Sequence, residues 1–376
     1  MKQSINLQGF TAITCIGTAT PPYKQLQIHT AELIANSLNL TSSEKRVLKS
    51  IYKATGIEQR YSVLSDYCKS VGEFTFFPNE KNALFPSTAA RMEVYKENAL
   101  GLALLAIENC LANLVYFNKN DITHLITVSC TGMYAPGIDI EIVHKLNLNP
   151  STKRTAISFM GCYGAFNAIK IADAICKADK DATVLIVCIE LCTIHLQKSM
   201  NLDDIISNSL FSDGAAAILV QAKTQQEKFF TLQHFHNDLL PQTNEQMAWR
   251  IGDYGFDIVL SSYIPEIIQS GIGMFAENLL KQANFTLADV DFYAIHPGGR
   301  KILEACETAL DIDKDDNKYS YEILRNYGNM SSATVLFVLK AIWEDINYQH
   351  DQKNIFSCAF GPGLTLESMM LKTYCI

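Results

Sequence analysis

A cysteine stands at a turn in Ser158-Phe159-Met160-Gly161-Cys162-Tyr163-Gly164, between a β-branched run and an apolar helical pattern. The glycine permits a sharp turn and Cys162 then opens the helix, where free backbone N–H groups and the positive end of the helix dipole favour a thiolate. A nucleophile so placed suits acyl transfer. The competing reading is a small buried hydrophobe, the commonest fate of a cysteine, and the chain holds 11 of them.

A histidine closes a second apolar run in Ile295-His296-Pro297-Gly298-Gly299, where the backbone leaves the sheet. Ligands bind at such carboxyl ends in open α/β sheets; a lone histidine elsewhere is ordinarily a surface or satisfied core residue. The third candidate is Asn329, in Asn326-Tyr327-Gly328-Asn329-Met330-Ser331-Ser332. Its place before an apolar helix fits a plain N-cap. Its amide could equally donate to a developing oxyanion, a contact worth roughly 3–4 kcal/mol in a preorganised site. Two glycine clusters, Phe211-Ser212-Asp213-Gly214 and Phe360-Gly361-Pro362-Gly363-Leu364, are either strand-end turns or places where backbone approaches a substrate closely.

These residues need a scaffold, and the hydrophobic pattern supplies one. Buried strands are expected at Thr11–Ile16, His124–Ser129, Thr155–Phe159, Ala182–Ile189, Ala215–Val220, Asp291–Ile295, Asn354–Ala359 and Leu364–Lys372. Helical spacing recurs at Glu97–Asn113, Tyr163–Lys177, Ile264–Ala283, Arg300–Leu310 and Ser331–Trp343. Continuous apolar strands alternating with helices imply an α/β protein whose parallel or mixed sheet is covered on both faces. No linker divides the chain. The polar stretch Gln221–Phe229 is read as the junction of two halves, residues 1–222 with Cys162 and residues 223–376 with His296 and Asn329. A faint echo relates them: Thr155–Phe159 leads through a turn into a helix, as Asp291–Ile295 does through His-Pro-Gly-Gly.

Bulk composition narrows the function. At 376 residues the chain exceeds a single ordinary core, and 48% hydrophobic against 19% charged residues suits a globular enzyme. A net charge of −8 argues against a nucleic-acid partner. Scattered cysteines and an N-terminus unlike a signal peptide favour a reducing, cytoplasmic setting. Cys188 and Cys192 lack a second ligand pair at finger spacing, so no metal is expected. No stretch is apolar and long enough to span a membrane.

Taken together, six segments resemble the type III polyketide synthases, the chalcone synthase-like family of the thiolase superfamily. They are Ile16-Gly17-Thr18-Ala19-Thr20-Pro21-Pro22, Gly161-Cys162, Leu210-Phe211-Ser212-Asp213-Gly214-Ala215-Ala216-Ala217, His296-Pro297-Gly298-Gly299, Tyr327-Gly328-Asn329-Met330-Ser331-Ser332 and Phe360-Gly361-Pro362-Gly363-Leu364-Thr365. They occur in the family's order along nearly the whole chain. The resemblance implies a thiolase-like five-layered αβαβα fold built from two similar halves, a homodimer, and a Cys-His-Asn triad at the end of a coenzyme A tunnel. Acyl-CoA and malonyl-CoA would be the substrates, with no further cofactor. Cys162 would carry the acyl group, His296 would keep it a thiolate, and His296 with Asn329 would hold the thioester carbonyl and the enolate formed by decarboxylation. Such chemistry needs an oxyanion hole and a dry pocket rather than a carboxylate pair. The product would cyclise to a pyrone, resorcinol or other phenolic.

Phe211 matches the family's aromatic gate, and Ser331, Gly361, Pro362 and Gly363 fall in motifs that line its pocket. The second gating aromatic falls on Ile258, a methionine that crosses the dimer interface falls on Ala135, and a small cavity threonine falls on His195. Tyr163-Gly164-Ala165-Phe166 is bulkier than the usual pattern. Smaller gates would admit a long acyl chain, whereas His195 would narrow the cavity. Lys45, Arg46, Lys49 and Lys53 recur on one face of an expected helix and could meet coenzyme A phosphates, or simply be solvated. The rivals are a single-step β-ketoacyl synthase served by an acyl carrier protein and a catalytically silent acyl-CoA-binding partner. A hydroxymethylglutaryl-CoA synthase would need a catalytic glutamate; Glu190 is instead expected to be a buried, hydrogen-bonded structural carboxylate.

Overall fold

In the computed structural model, residues 5–375 are described except 7–8, 39, 81–82, 113, 115–116, 200, 242, 244 and 262. Nine strands form one mixed sheet: β1 Thr11–Ala19, β2 His124–Ser129, β3 Lys153–Ser158, β4 Thr183–Leu191, β5 Asp213–Gln221, β6 Lys228–Leu239, β7 Phe292–Ile295, β8 Asn354–Gly361 and β9 Thr365–Cys375. Their spatial order is β7-β8-β9-β6-β1-β5-β4-β2-β3. The pairs β7/β8, β2/β3 and β2/β4 are parallel and the rest antiparallel. The helices that matter for the site are α1 Ser42–Ala54, α2 Thr88–Leu111, α3 Gly164–Ala178, α4 Leu202–Leu210, α5 Ile264–Ala283, α6 Arg300–Leu310 and α7 Thr334–Asp345.

Strand alternation sorts the apolar side chains into layers. From β4, Val184, Ile186 and Cys188 join a cluster with α3 and α7. Their neighbours Leu185, Val187, Ile189 and Leu191 pack outward with α2. On the other wing, Ile355, Ala359, Met369 and Leu371 reach the same central cluster, while Phe356, Cys358, Leu366 and Met370 pack outward under α5 and α6. The order is therefore helix, sheet wing, central helices, sheet wing, helix: the thiolase-like αβαβα sandwich, joined where β1 pairs with β6.

Two expectations need correction. The run Thr155–Phe159 is not buried: Lys153–Ser158 is the sheet's edge strand and largely exposed, because its outer side has no neighbouring strand among the described residues. The stretch read as a junction spans the end of β5 and the start of the 12-residue strand β6, whose exposed far end, from Asn237 on, hides that strand's pattern. The internal echo also pairs differently. The central helices α3 and α7 each follow a 3-10 turn, Gly161–Tyr163 and Ser331–Ala333, so the counterpart of the cysteine turn is the Asn329 turn and not the His296 turn.

Candidate active site

The loop after β3 reverses through two left-handed residues, Phe159 at φ 59° and Gly161 at φ 75°, before Cys162 opens the 3-10 turn. A bulky residue held there stores strain, of order 1–3 kcal/mol, that the surroundings must over-determine. They do. A Cβ on Gly161 would lie 2.2 Å from Pro362 Cδ, and one on Gly361 would lie 2.5 Å from the Tyr163 ring. The Phe360–Leu364 segment thus clasps the cysteine turn, Gly363 taking φ 71° to do so. The Cys130 thiol accepts the Gly161 N–H at 2.9 Å.

His296 leaves β7 with its backbone N–H on Cys358 O at 2.8 Å. Asn329 is held on both sides by main chain: its N–H donates to Leu210 O at 2.9 Å and its carbonyl accepts from Ser212 N at 2.8 Å. Phe211 sits opposite it in a parallel bridge. The Asn329 amide is oriented too. Its Oδ1 accepts from Ser331 N at 2.9 Å and its Nδ2 donates to Gly298 O at 3.2 Å, leaving one amide hydrogen uncommitted. Ser331 adopts φ 47° to make this contact.

Cys162, His296, Asn329, Ser331, Phe211, Ile258 and Pro362 all line one cavity of ≈ 390 Å³. Cys162 is half-buried there, its Sγ 4.0 Å from Asn329 Oδ1. His296 is buried, and neither ring nitrogen has a hydrogen-bond partner among the described residues. Burial alone takes the His296 imidazole down to about 3. Burial likewise pushes the Cys162 thiol up to about 12, opposed by the Ser331 and Asn329 side chains and reinforced by the buried charge of Glu190. Burial thus favours the neutral form of both groups in this cavity, opposing the helix dipole and hydrogen bonds that favour the expected thiolate.

Glu190 is fully buried and accepts from Cys130 N at 3.0 Å, Thr131 Oγ1 at 2.8 Å and Ser332 Oγ. It is the structural carboxylate expected, tying the loops under both turns together. Burial raises its pKa.

Other expected residues lie elsewhere. His195 is not part of the main cavity. Its Nδ1 accepts Phe256 N–H at 3.0 Å, its Nε2 donates to Thr131 O at 2.7 Å, and its ring stacks on Phe256 at 4.2 Å. Ala135 is exposed. Tyr163 and Phe166 fill the central core. The basic residues of α1 do not line the cavity either. Lys45 donates to Asn36 Oδ1 at 3.0 Å, Lys49 pairs with Glu32 at 2.9 Å, and Arg46 and Lys53 are exposed, while Ile51 and Ala54 of the same helix do line it.

The sequence reading missed Trp249, Arg300 and Lys301, all cavity-lining. Trp249 faces Ile258 across the hairpin Met247–Gly252/Gly255–Leu260 and brings its ring to within 6.5 Å of Phe211. The cavity therefore has a second aromatic beside Phe211, supplied from the strand opposite Ile258. Only cross-strand register could reveal it. Arg300 and Lys301 directly follow the His-Pro-Gly-Gly motif, a signal that was available in the sequence. Leu202, Ile206, Leu210, Met247, Leu260, Ile264, Ile268 and Ile302 give much of the remaining wall an aliphatic surface, beside Thr55, Thr131, Ser209, Ser261 and Phe360.

The layered fold, with a cysteine turn opening onto this apolar cavity, defines a thiolase-like condensing enzyme. The chain belongs to the chalcone and stilbene synthase family of type III polyketide synthases: that family's N-terminal domain profile matches residues 1–224 and its C-terminal domain profile residues 231–375. It is 31% identical over 360 residues to the alpha-pyrone synthesis polyketide synthase-like Pks18 of Mycobacterium tuberculosis, across 94% of this chain and 89% of that one. The crystal structure of the C-terminal type III polyketide synthase domain of Steely1, a type I/III hybrid from Dictyostelium, superposes with a TM-score of 0.90 at 27% identity, covering 98% of this chain and all of that domain. PKS-I of the brown alga Ectocarpus siliculosus gives 0.88 at 28% identity over 96% of this chain and 98% of that one.

Proposed function

We propose that Cys162 takes an aliphatic acyl group from coenzyme A and that the enzyme extends it with malonyl-CoA. The observation that carries this is the placement of Cys162, a partnerless His296 and one uncommitted Asn329 hydrogen around a single apolar cavity. As Sγ attacks the thioester carbonyl, the thiol proton passes to His296 and then to the departing coenzyme A thiolate. The oxyanion is met by the Asn329 N–H. Malonyl-CoA next loses carbon dioxide, and its C–C electrons move onto the thioester oxygen. His296 Nε2–H and Asn329 Nδ2–H hold that enolate without a strong base. Its carbon attacks the acyl-Cys162 carbonyl, and Cys162 leaves as thiolate to be reloaded by the lengthened chain. Cyclisation to a pyrone or related ring releases the product.

The aliphatic wall supports an acyl rather than an arylpropenoyl starter, and Arg300 and Lys301 are suited to coenzyme A phosphates. We also read the functional unit as a cytoplasmic homodimer. The exposed edge strand β3 carries Thr155 and Ala156 outward, and no helix among the described residues is long and apolar enough to cross a membrane.

Purified protein with malonyl-CoA and starters from acetyl-CoA to palmitoyl-CoA, analysed by mass spectrometry beside Cys162→Ala, tests the reaction. Starter-dependent tri- and tetraketides absent from the variant are expected. Failure to acylate Cys162 with coenzyme A or carrier-protein thioesters would sink the proposal.

A further inference from the structure

Arg60 carries a charge that the proposed chemistry does not use. It is 4% exposed, on the short strand Gln59–Ser62. Its Nη1 donates to Asn208 O at 2.8 Å and Phe211 O at 2.6 Å, while Nε and Nη2 meet no acceptor among the described residues. A buried guanidinium that spends its bonds on two carbonyls is a poor source of stability, since desolvation costs about as much as such contacts return.

What the contacts do is fix geometry. The Asn208 and Phe211 carbonyls bracket the end of α4, immediately before the gate. The Arg60 stem also presses on the residue preceding Asn329: Gly328 takes φ 71°, and a Cβ there would lie 3.0 Å from Arg60 Cγ. Below the guanidinium, 5.7 Å away, is the ring of Tyr52, on the helix whose Ile51 and Ala54 line the cavity. The next residue completes the clamp. Tyr61 N–H donates to Ser212 Oγ at 2.9 Å and Tyr61 O accepts from it at 3.1 Å.

We propose that Arg60 is a positioning residue for condensation: it pins the Phe211 carbonyl and, through the Phe211–Asn329 bridge, sets the gate ring and the Asn329 amide relative to Cys162. The inference rests on the condensation reading above. An interaction that serves the transition state alone lowers kcat and leaves KM nearly unchanged.

Arg60→Lys keeps the charge, but its ammonium sits on a shorter stem and cannot take the Nη1 position between the two carbonyls. In the mass-spectrometric assay it should fold, acylate at Cys162, lose about tenfold or more in kcat with KM for the starter within about twofold, and release shorter products. In a Phe211→Ala background the same substitution should no longer change product length. Ser212→Ala, which loosens the same clamp with no change of charge, should move both readouts in the same direction by less. Unchanged kcat and product length in folded Arg60→Lys, or in Ser212→Ala if Arg60→Lys does not fold, would overturn the inference while leaving the condensation reading intact. A wild type that does not condense removes both.

Discussion

His195 and His296 are equally buried and equally held neutral, each near 3, and burial is the leading cause for both. They differ in their nitrogens. His195 donates to one backbone carbonyl and accepts one backbone N–H, so its valences are spent on the fold. His296 spends neither among the described residues. A buried polar group without a partner costs about 1–3 kcal/mol and needs a reason. On the proposed reading, a thioester or enolate oxygen in the cavity supplies the missing partner. A perturbed pKa alone does not separate a structural histidine from a catalytic one; the hydrogen-bond inventory does.

Substitution should split the pair most sharply in turnover. His296→Ala is expected to lose about 10²–10³-fold in condensation with little change in stability, as for an oxyanion donor. His195→Leu should retain most of its turnover per folded molecule. Product formation by liquid chromatography and mass spectrometry, with circular dichroism on the same samples, decides this; equal losses for both variants would erase the contrast.

Cys162 tests the neutral state directly. With burial pushing the thiol up to about 12 and the His296 imidazole down to about 3, alkylation by iodoacetamide should climb about tenfold per pH unit between 7 and 10. A plateau below pH 8 would mean that the thiolate–imidazolium pair forms in solution after all.

Stability should report the opposite ranking. His195→Leu leaves the Phe256 N–H and the Thr131 carbonyl without partners, a loss of about 2–4 kcal/mol visible in denaturant unfolding. The pH dependence carries a sign. A folded-state pKa below the ordinary value of about 6.5 means that the unfolded chain binds the extra proton, so stability falls as pH drops from about 6.5 towards 3. Asp213, which burial raises to about 7, works in the other sense: its stabilising share is full below about 3.9 and is lost as pH rises through 7. Removing His195 should therefore flatten the acid limb by up to one proton's slope, about 1.4 kcal/mol per pH unit. An unchanged slope would show that His195 is already neutral when unfolded or solvated when folded.

The smallest effect concerns the gate. Ile258→Phe, adding a ring beside Trp249 and Phe211, should shift the preferred starter to fewer carbons by a few-fold in kcat/KM, since each methylene in such a pocket is worth about 1 kcal/mol. A starter profile unaltered across the acyl series would place the size limit deeper, along Ile206 and Ile268.

Much of this molecule could be read from the chain. Eight strand runs and five helical runs appear near their expected places, because a strand buried on both faces reads as a short continuous apolar run and an amphipathic helix imposes its own period. The helices Ile264–Ala283 and Arg300–Leu310 match end to end, the first bounded by Pro265 and a left-handed Asn284. The turns that carry Cys162, His296 and Asn329 were legible because they demand glycine and proline, and the structure brings all three residues to one cavity. β6 was not, since its second half alternates weakly and leaves the core. Which of two buried histidines has free nitrogens, which strand supplies the second aromatic beside Phe211, and whether a basic helix face or Arg300 and Lys301 line the cavity are decided by contacts between segments far apart in the chain. The pull of the cysteine towards its neutral form arises the same way. The sequence places it at a helix start, a local feature that favours the thiolate, but desolvation depends on everything packed around the sulfur, and only the assembled layers fix that.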